Sequence, residues 1–345
     1  MAPRIHTIGL DIAKDVFQVH GVDKDGKIVA RRKLLRSEVA SYFEKLKPCL
    51  VGIEACATAH HWARTLAGFG HRVRLVHPPF VTPYVKSQKN DQADAEAICE
   101  AVARPNMRFV PVKSKSQQAI LTVHRTRTML LRQRTMLINL FRGQIAEYGY
   151  VAELGRAGIE ALLTFIETDR AKFIPPLALK ALKVVATRIR ELEAEAGALE
   201  AKIRAWHRAS AQSQRLETIP GISHLSASAI AATAPNPAAF KSGRAFAAWL
   251  GLVPRQYSSG GKTQLGHITK RGNPYIRRLL VSGARTVLVH YERSDAHIAR
   301  FRKLLKTKPF LVVAVALANR MARVAWAVMM RRKPYKAELS PVPNN

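Results

Sequence analysis

Hydrophobic positions change their period along the chain, and the changes mark out its elements. Ile5-His6-Thr7-Ile8-Gly9-Leu10-Asp11 is a short, mostly apolar run that ends in a carboxylate, and residues 16–22 alternate loosely. Asp23-Lys24-Asp25-Gly26 is a turn sequence that leads into a third run over 27–35. This pattern predicts three strands joined by hairpins. Ser37 is an N-cap candidate for a helix reaching residue 46, and 49–54 reads as a buried strand that again ends in a carboxylate, Glu54. A helix over 60–69 and a strand over 72–77 complete the pattern of a mixed sheet flanked by helices.

Beyond Pro78-Pro79 the period becomes helical. Residues 114–148 contain no proline, and a second long stretch runs over 177–206. In the second, Leu182, Val185, Ile189, Leu192, Ala196, Leu199, Ile203 and Trp206 follow one another at alternating steps of three and four, the spacing of a coiled-coil seam. Gly197 weakens that seam, and a helix packed within its own domain would show the same stripe. A turn at Ile219-Pro220-Gly221-Ile222 precedes a helix over 223–234, a Pro235-Asn236-Pro237 turn and a helix over 244–250. Residues 253–273 read as a basic loop, followed by two helices rich in apolar residues and arginine. Three segments are expected: 1–112, 113–211 and 212–345.

Composition narrows the classes. The 345 residues include 56 Lys and Arg against 24 Asp and Glu, a formal net charge of +32, while 48% of residues are hydrophobic and 23% charged. Such a chain builds real cores, which excludes a disordered polycation, and its excess charge calls for a polyanionic partner. Residues 218–345 alone carry 21 basic and 3 acidic side chains, so the closest phosphate contact is expected there. Cys49, Cys56 and Cys99 form neither a disulfide framework nor a CxxC pair. The start of the chain has no signal-peptide run, and the apolar run over 310–318 falls short of the roughly 20 residues that span a bilayer, so a cytoplasmic protein is expected.

Against this basic background four carboxylates stand out. Asp11 and Glu54 each end a strand, and Asp91 and Asp94 lie three apart at a helix start. Clustered carboxylates repel one another unless a cation neutralises them, and hard oxygen donors suit Mg²⁺ or Mn²⁺. Asp91 and Asp94 equally suit the positive end of a helix dipole. The Pro220-Gly221 turn is similar to the hairpin of helix-hairpin-helix modules, where backbone N–H groups hold phosphate. The loop Pro254-Arg255-Gln256-Tyr257-Ser258-Ser259-Gly260-Gly261-Lys262, with Lys270, Arg271, Arg277 and Arg278 after it, places small residues beside cations, as close approach to a phosphate backbone requires. A serine there suits either a phosphate contact or a nucleophile at phosphorus. Gly260-Gly261-Lys262 is not a P-loop, and His60-His61 read as helix-surface residues.

Taken together, Gly9-Leu10-Asp11-Ile12-Ala13-Lys14, Glu54-Ala55 and Asn90-Asp91-Gln92-Ala93-Asp94-Ala95 resemble the DEDD motif of insertion-sequence-110-type transposases. Gly251-Leu252-Val253-Pro254, Gln256-Tyr257-Ser258-Ser259-Gly260-Gly261-Lys262 and Ile268-Thr269-Lys270-Arg271-Gly272-Asn273 resemble the family's C-terminal domain, in the form of its insertion-sequence-1111 subgroup. The resemblance covers nearly the whole chain in order. It implies an α/β, RuvC-like (ribonuclease-H-like) N-terminal domain, a long helical coiled-coil connector and a mainly α-helical C-terminal transposase domain with a helix-hairpin-helix-like element.

It further implies a DNA recombinase related to the Piv invertases, working as a homodimer or tetramer on DNA, guided by a structured RNA and associated with the nucleoid. Carried over by position, Asp11, Glu54, Asp91 and Asp94 become Mg²⁺ (or Mn²⁺) ligands and Ser259 the nucleophile, with its neighbour Ser258 not excluded by the motif. Arg255, Ser258, Lys262, Lys270, Arg271, Arg277 and Arg278 become nucleic-acid contacts. Two alternatives stay open from the residues: a metal-dependent junction nuclease that hydrolyses without a covalent intermediate, and a non-catalytic RNA- or DNA-binding protein. A sugar kinase of the actin-like fold also begins with a strand ending in Asp, but phosphate-binding glycine loops are absent from the sequence.

Overall fold

A computed structural model describes residues 4–86, 90–290 and 296–336, so that the end of the expected third segment, 337–345, lies outside the described residues. The chain divides into two compact units, 1–114 together with 234–241, and 115–233 together with 242–345.

The first unit is a mixed α/β layer structure. Its elements are β1 (Thr7–Ile12), β2 (Val16–Val22), β3 (Ile28–Leu35), α1 (Val39–Glu44), β4 (Leu50–Glu54), α2 (Ala59–Gly68), β5 (Arg72–Val76), the short α3 (Pro78–Val81), α4 (Asp91–Ala103) and β6 (Phe109–Val110). The six strands lie in the order β3-β2-β1-β4-β5-β6. β1 pairs antiparallel with β2 and parallel with β4, and β5 runs parallel to β4. The β2–β3 turn forms where expected: the Asp23 carboxylate accepts N–H bonds from Asp25 and Lys27 at 2.9 Å, and Gly26 takes the left-handed conformation (φ +80°).

Alternation along β1 and β4 decides what each face of the sheet meets. Ile8, Leu10, Ile12, Val51 and Ile53 point into a core with Val39 and Phe43 of α1 and Trp62, Ala63 and Leu66 of α2. The alternate positions of the same strands carry Gly9 and Gly52, which are direct register partners. Here α4 lies against bare backbone. A Cβ on Gly9 would sit 2.0 Å from the Ala95 carbonyl oxygen, and one on Gly52 would sit 2.7 Å from the Val102 Cβ. The Cys99 thiol reaches the Thr7 carbonyl at 3.8 Å, so α4 runs antiparallel to β1 and directs its first turn toward Asp11.

The second unit is mostly helical: α5 (Lys115–Ala146), α6 (Arg156–Phe165), α7 (Pro176–Ala209), α8 (Ala211–Glu217), α9 (His224–Thr233), α10 (Gly243–Trp249), the strands β7 (Pro254–Gln256) and β8 (Leu265–Ile268), then α11 (Pro274–His290), α12 (Ala296–Leu304) and α13 (Phe310–Arg331). The two long helices form an antiparallel pair within the chain. Arg127 forks onto Glu200 and Arg134 bonds Glu193 at 3.1 Å, one rung farther along. Leu182, Ile189, Leu192, Ala196 and Ile203 of the expected seam are buried, while at its ends Ala186 and His207 are buried in place of Val185 and Trp206, which are half-buried. At the far end α6 closes the pair with Ile159, Leu162, Leu163 and Phe165, the last stacked on Tyr150.

Two elements differ from the sequence pattern. Residues 253–273 are not an open loop but contain the β7–β8 hairpin, whose exposed strands bury no apolar face and so leave no alternation to detect. The apolar stretch at 310 continues to residue 331 as one 22-residue helix, long and apolar enough to cross a membrane. Its buried residues, among them Val313, Leu317, Met321 and Val328, pack within this unit, where α13 meets α10 and α11.

The joint between the helical pair and the rest of this unit holds a buried imidazole. His124 of α5 bonds the Tyr275 hydroxyl at 2.9 Å and the Ser228 hydroxyl at 3.1 Å. Burial, with smaller contributions from the charges of Arg127 and His224, pushes its pKa down to about 4.

Three outcomes follow. Gly9→Ala forces α4 off the sheet and is expected to cost about 3 kcal/mol in urea unfolding. Gly26→Ala meets open space and costs about 1 kcal/mol from backbone strain alone. Acid destabilises the second unit, because the unfolded chain protonates His124 from about pH 6.5 downward and the folded one only near pH 4. Stability is therefore lost as pH falls through that window, by about 2–3 kcal/mol, and His124→Gln should flatten the profile measured by denaturant titration at successive pH values.

Candidate catalytic site and nucleic-acid interface

The close approach of α4 brings the four expected carboxylates to one edge of the sheet. Asp11 stands two residues beyond Gly9 and Glu54 two beyond Gly52, so both carboxylates share the face on which α4 lies. Asn90 caps α4, its side-chain oxygen accepting the Ala93 N–H at 2.8 Å, which fixes Asp91 and Asp94 in the first turn. The result is visible in Asp11, whose pKa is raised to about 6. Burial is the largest cause, followed by the negative charges of Asp94, Asp91 and Glu54.

Nearby charge pairing is selective. Lys86 bonds both Glu96 and Glu100, which lie farther along α4. Among the described residues no lysine, arginine or histidine lies within ion-pair distance of Asp11, Asp91 or Asp94. The donor set is thus all oxygen and anionic, with no described cation paired to Asp11, Asp91 or Asp94, and its chemistry fits a hard divalent cation. The carboxylates converge without closing into a cage: among the described residues no three acidic, histidine or cysteine side chains gather tightly enough to hold one ion.

The expected serine sits in the second unit at the tip of the β7–β8 hairpin. Gln256 pairs with Leu265, the Tyr257 N–H donates to the Gln264 carbonyl at 2.9 Å, and the ladder ends in a bridge between Ser259 and Lys262. Gly260 and Gly261 turn the chain with φ of +55° and +76°, the conformation of a two-residue hairpin turn that only small residues adopt freely. The two serines differ. Ser258 accepts a bond from the Gln256 amide at 2.9 Å, whereas the Ser259 hydroxyl makes no hydrogen bond to a described residue.

Arg255 and Lys262 on the hairpin, Lys270 and Arg271 at its base and Arg278 on α11 are exposed. Arg277 is only half-buried and turns inward, donating to the Leu250 and Arg271 carbonyls. The Pro220-Gly221 turn joins α8 to α9, with Gly221 (φ +82°) packed tightly against Gly283 and Met321.

The part Gly9 and Gly52 play in bringing α4 against the sheet is one that sequence reasoning missed. Their signal is the repeat of one pattern, glycine two residues before a strand-end carboxylate, in Gly9-Leu10-Asp11 and Gly52-Ile53-Glu54.

Comparison with known proteins adds an independent line. Residues 213–299 match the Transposase IS116/IS110/IS902 family, and residues 8–149 match the DEDD-type transposase domain of the IS110 group. The chain is 50% identical over 332 residues to a probable family 20 transposase of Pseudomonas aeruginosa, covering 95% of this chain and 98% of the relative. It is 38% identical over 333 residues to the transposase for insertion sequence element IS1111A of Coxiella burnetii, covering 96% and 92%. It is also 38% identical over 327 residues to the transposase for insertion sequence element IS1328 of Yersinia enterocolitica, covering 94% and 97%.

The uncompensated charge at Asp11 predicts a stability signature. Asp11→Asn should stabilise the protein at neutral pH by about 1 kcal/mol, water screening part of the repulsion on the exposed side. Millimolar Mg²⁺ should raise the melting temperature of the unaltered protein and leave that of an Asp91→Asn/Asp94→Asn variant unchanged; equal shifts in both would remove the site.

Proposed function

The chain belongs to the IS116/IS110/IS902 family of transposases, and on that footing we propose that it cuts and rejoins DNA strands through a covalent link to Ser259. One observation supports this reading above the rest. At the tip of an exposed hairpin among basic side chains, the Ser259 hydroxyl is committed to no described partner.

In the proposed reaction Ser259 Oγ attacks the scissile phosphorus. The Oγ–P bond forms as the bond from phosphorus to the leaving deoxyribose oxygen breaks, and the serine proton passes to that oxygen. The leaving strand departs as a free hydroxyl. A hydroxyl of the incoming strand then attacks the phosphoserine, closes a new phosphodiester and restores the serine, so the bond energy is conserved without a nucleotide cofactor.

Arg255, Lys262, Lys270, Arg271 and Arg278 would grip the flanking phosphates and Ser258 would sit beside the reacting group. Held by Asp11, Glu54, Asp91 and Asp94, Mg²⁺ or Mn²⁺ would supply Lewis-acid stabilisation of the phosphoryl charge.

The finer architecture is part of the same proposal. An antiparallel β1–β2–β3 meander followed by parallel β4 and β5 supports a RuvC-like (ribonuclease-H-like) assignment for residues 1–112. The α5–α7 pair supports a coiled-coil connector over 113–211, leaving 212–345 as the transposase domain with a helix-hairpin-helix-like element at Gly221. A structured guide RNA, a homodimer or tetramer and a place in the nucleoid are expected of such an enzyme, and the charge of +32 suits two polyanions as readily as one.

Ser259→Ala should abolish the protein–DNA adduct and strand exchange, a loss on the order of a thousandfold or more, as read on denaturing gels with end-labelled DNA. An adduct that disappears in Ser258→Ala but persists in Ser259→Ala would move the nucleophile by one residue. Cleavage that ignores both serines yet fails in Asp11→Ala would identify a hydrolytic nuclease.

A further inference from the structure

The Ser259 hairpin touches little beyond itself: residues 254–267 are all exposed. Its direction is therefore set where its two legs enter the helical body. There Thr269 N–H donates to the Val253 carbonyl at 2.8 Å and Lys270 N–H to the Gly251 carbonyl at 3.2 Å. The legs pack backbone to backbone. A Cβ on Gly251 (φ +73°) would lie 2.0 Å from the Arg271 carbonyl oxygen, and one on Gly272 (φ +85°) would lie 1.8 Å from that of Trp249. Lys270 itself is held at φ +54°, a conformation unfavourable for a non-glycine residue that persists only where its surroundings impose it.

Two side chains from the helices behind grip this base. Arg277 of α11 donates through Nη1 to the Leu250 carbonyl at 2.9 Å and to the Arg271 carbonyl at 3.2 Å, one on each leg. Asn319 of α13 donates to the Leu252 carbonyl at 3.0 Å. Asn273, whose side chain accepts the Tyr275 and Ile276 N–H groups, starts α11 directly after the returning leg, so Arg277 projects from the helix's first turn back under the base.

We propose that Arg277 is a positioning residue: it locks the two legs of the hairpin together and so aims Ser259, instead of contacting phosphate. The proposal rests on the reading of Ser259 as the nucleophile. A guanidinium suits the task because its donors lie in a rigid plane and keep their charge, whereas an ammonium offers one compact charge on a flexible stem. Arg277→Lys is then not conservative.

The test uses the full chain with Arg277→Gln, Arg277→Lys and, as a milder lesion, Asn319→Ala. Three quantities are read: affinity for a DNA duplex across a salt series, the rate of adduct formation at Ser259, and hydrogen exchange at the Thr269 and Lys270 amides. A positioning residue leaves duplex affinity and its salt slope unchanged in both Arg277 variants. It speeds exchange at Thr269 and Lys270 while α13 stays protected, and it lowers the adduct rate about 10- to 100-fold. Asn319→Ala gives a smaller loss of the same kind and serves if the Arg277 variants fold poorly.

A salt slope reduced by about one in Arg277→Gln, with exchange at 269–270 unchanged, would make Arg277 a phosphate contact and overturn the proposal. Should the unaltered protein form no adduct at Ser259, the nucleophile reading falls separately. The clamp is then judged on exchange alone: protection lost at Thr269 and Lys270 upholds it, and protection retained overturns it.

Discussion

The carboxylate edge of the first unit depends on how closely one helix can lie on a sheet. α4 rests on β1 and β4 where Gly9 and Gly52 stand side by side, and the space a methyl group would need is already filled by Ala95 and Val102. Separation matters because coulombic repulsion and attraction both weaken with distance. Lifting α4 by the width of a side chain would carry Asp91 and Asp94 away from Asp11 and Glu54. The raised pKa of Asp11 reflects burial first and then the nearby charges of Asp94, Asp91 and Glu54, and among the described residues no cation pairs with Asp11, Asp91 or Asp94. The protein thus stores repulsion at one edge of a unit that is otherwise conventionally packed.

The second unit solves a different problem, holding an exposed serine hairpin far from any core. Its rigidity comes from the α5–α7 pair, whose ion pairs and small-residue contacts fix two long helices against each other, and from α13, whose apolar face is sealed by α10 and α11. From this frame the serine hairpin projects with no apolar face of its own. Order at its tip is inherited from its base, which is why glycine contacts and carbonyl-directed side chains concentrate at residues 249–253 and 269–277.

Legibility in the sequence followed the amount of apolar surface each element buries. The strands at 7–12, 16–22, 50–54 and 72–76 and the helices at 115–146 and 176–209 bury or half-bury a face, and their periods show it, whereas the mostly exposed strand at 28–35 was marked by the turn that precedes it. The seam of α7 was readable through its middle and turned by one residue at its ends, where Ala186 and His207 are buried and Val185 and Trp206 half-buried. β7 and β8 bury nothing and were invisible. The four carboxylates and the two serines were picked out because they interrupt a basic, glycine-rich or apolar context. The inward turn of Arg277 was not, since its partners are backbone carbonyls that every sequence supplies.

The hairpin at residues 254–268 also bears on the paired serines. In a β-ribbon successive side chains leave opposite faces, so Ser258 and Ser259, chemically alike and adjacent in the chain, present their hydroxyls to different sides of a flat blade. A duplex lying along one side can be reached by only one of them. Which of two identical functional groups faces a given side is then a matter of parity: one residue added or removed between the base of the hairpin and its turn would exchange their faces, and with them the hydroxyl that a partner on that side encounters.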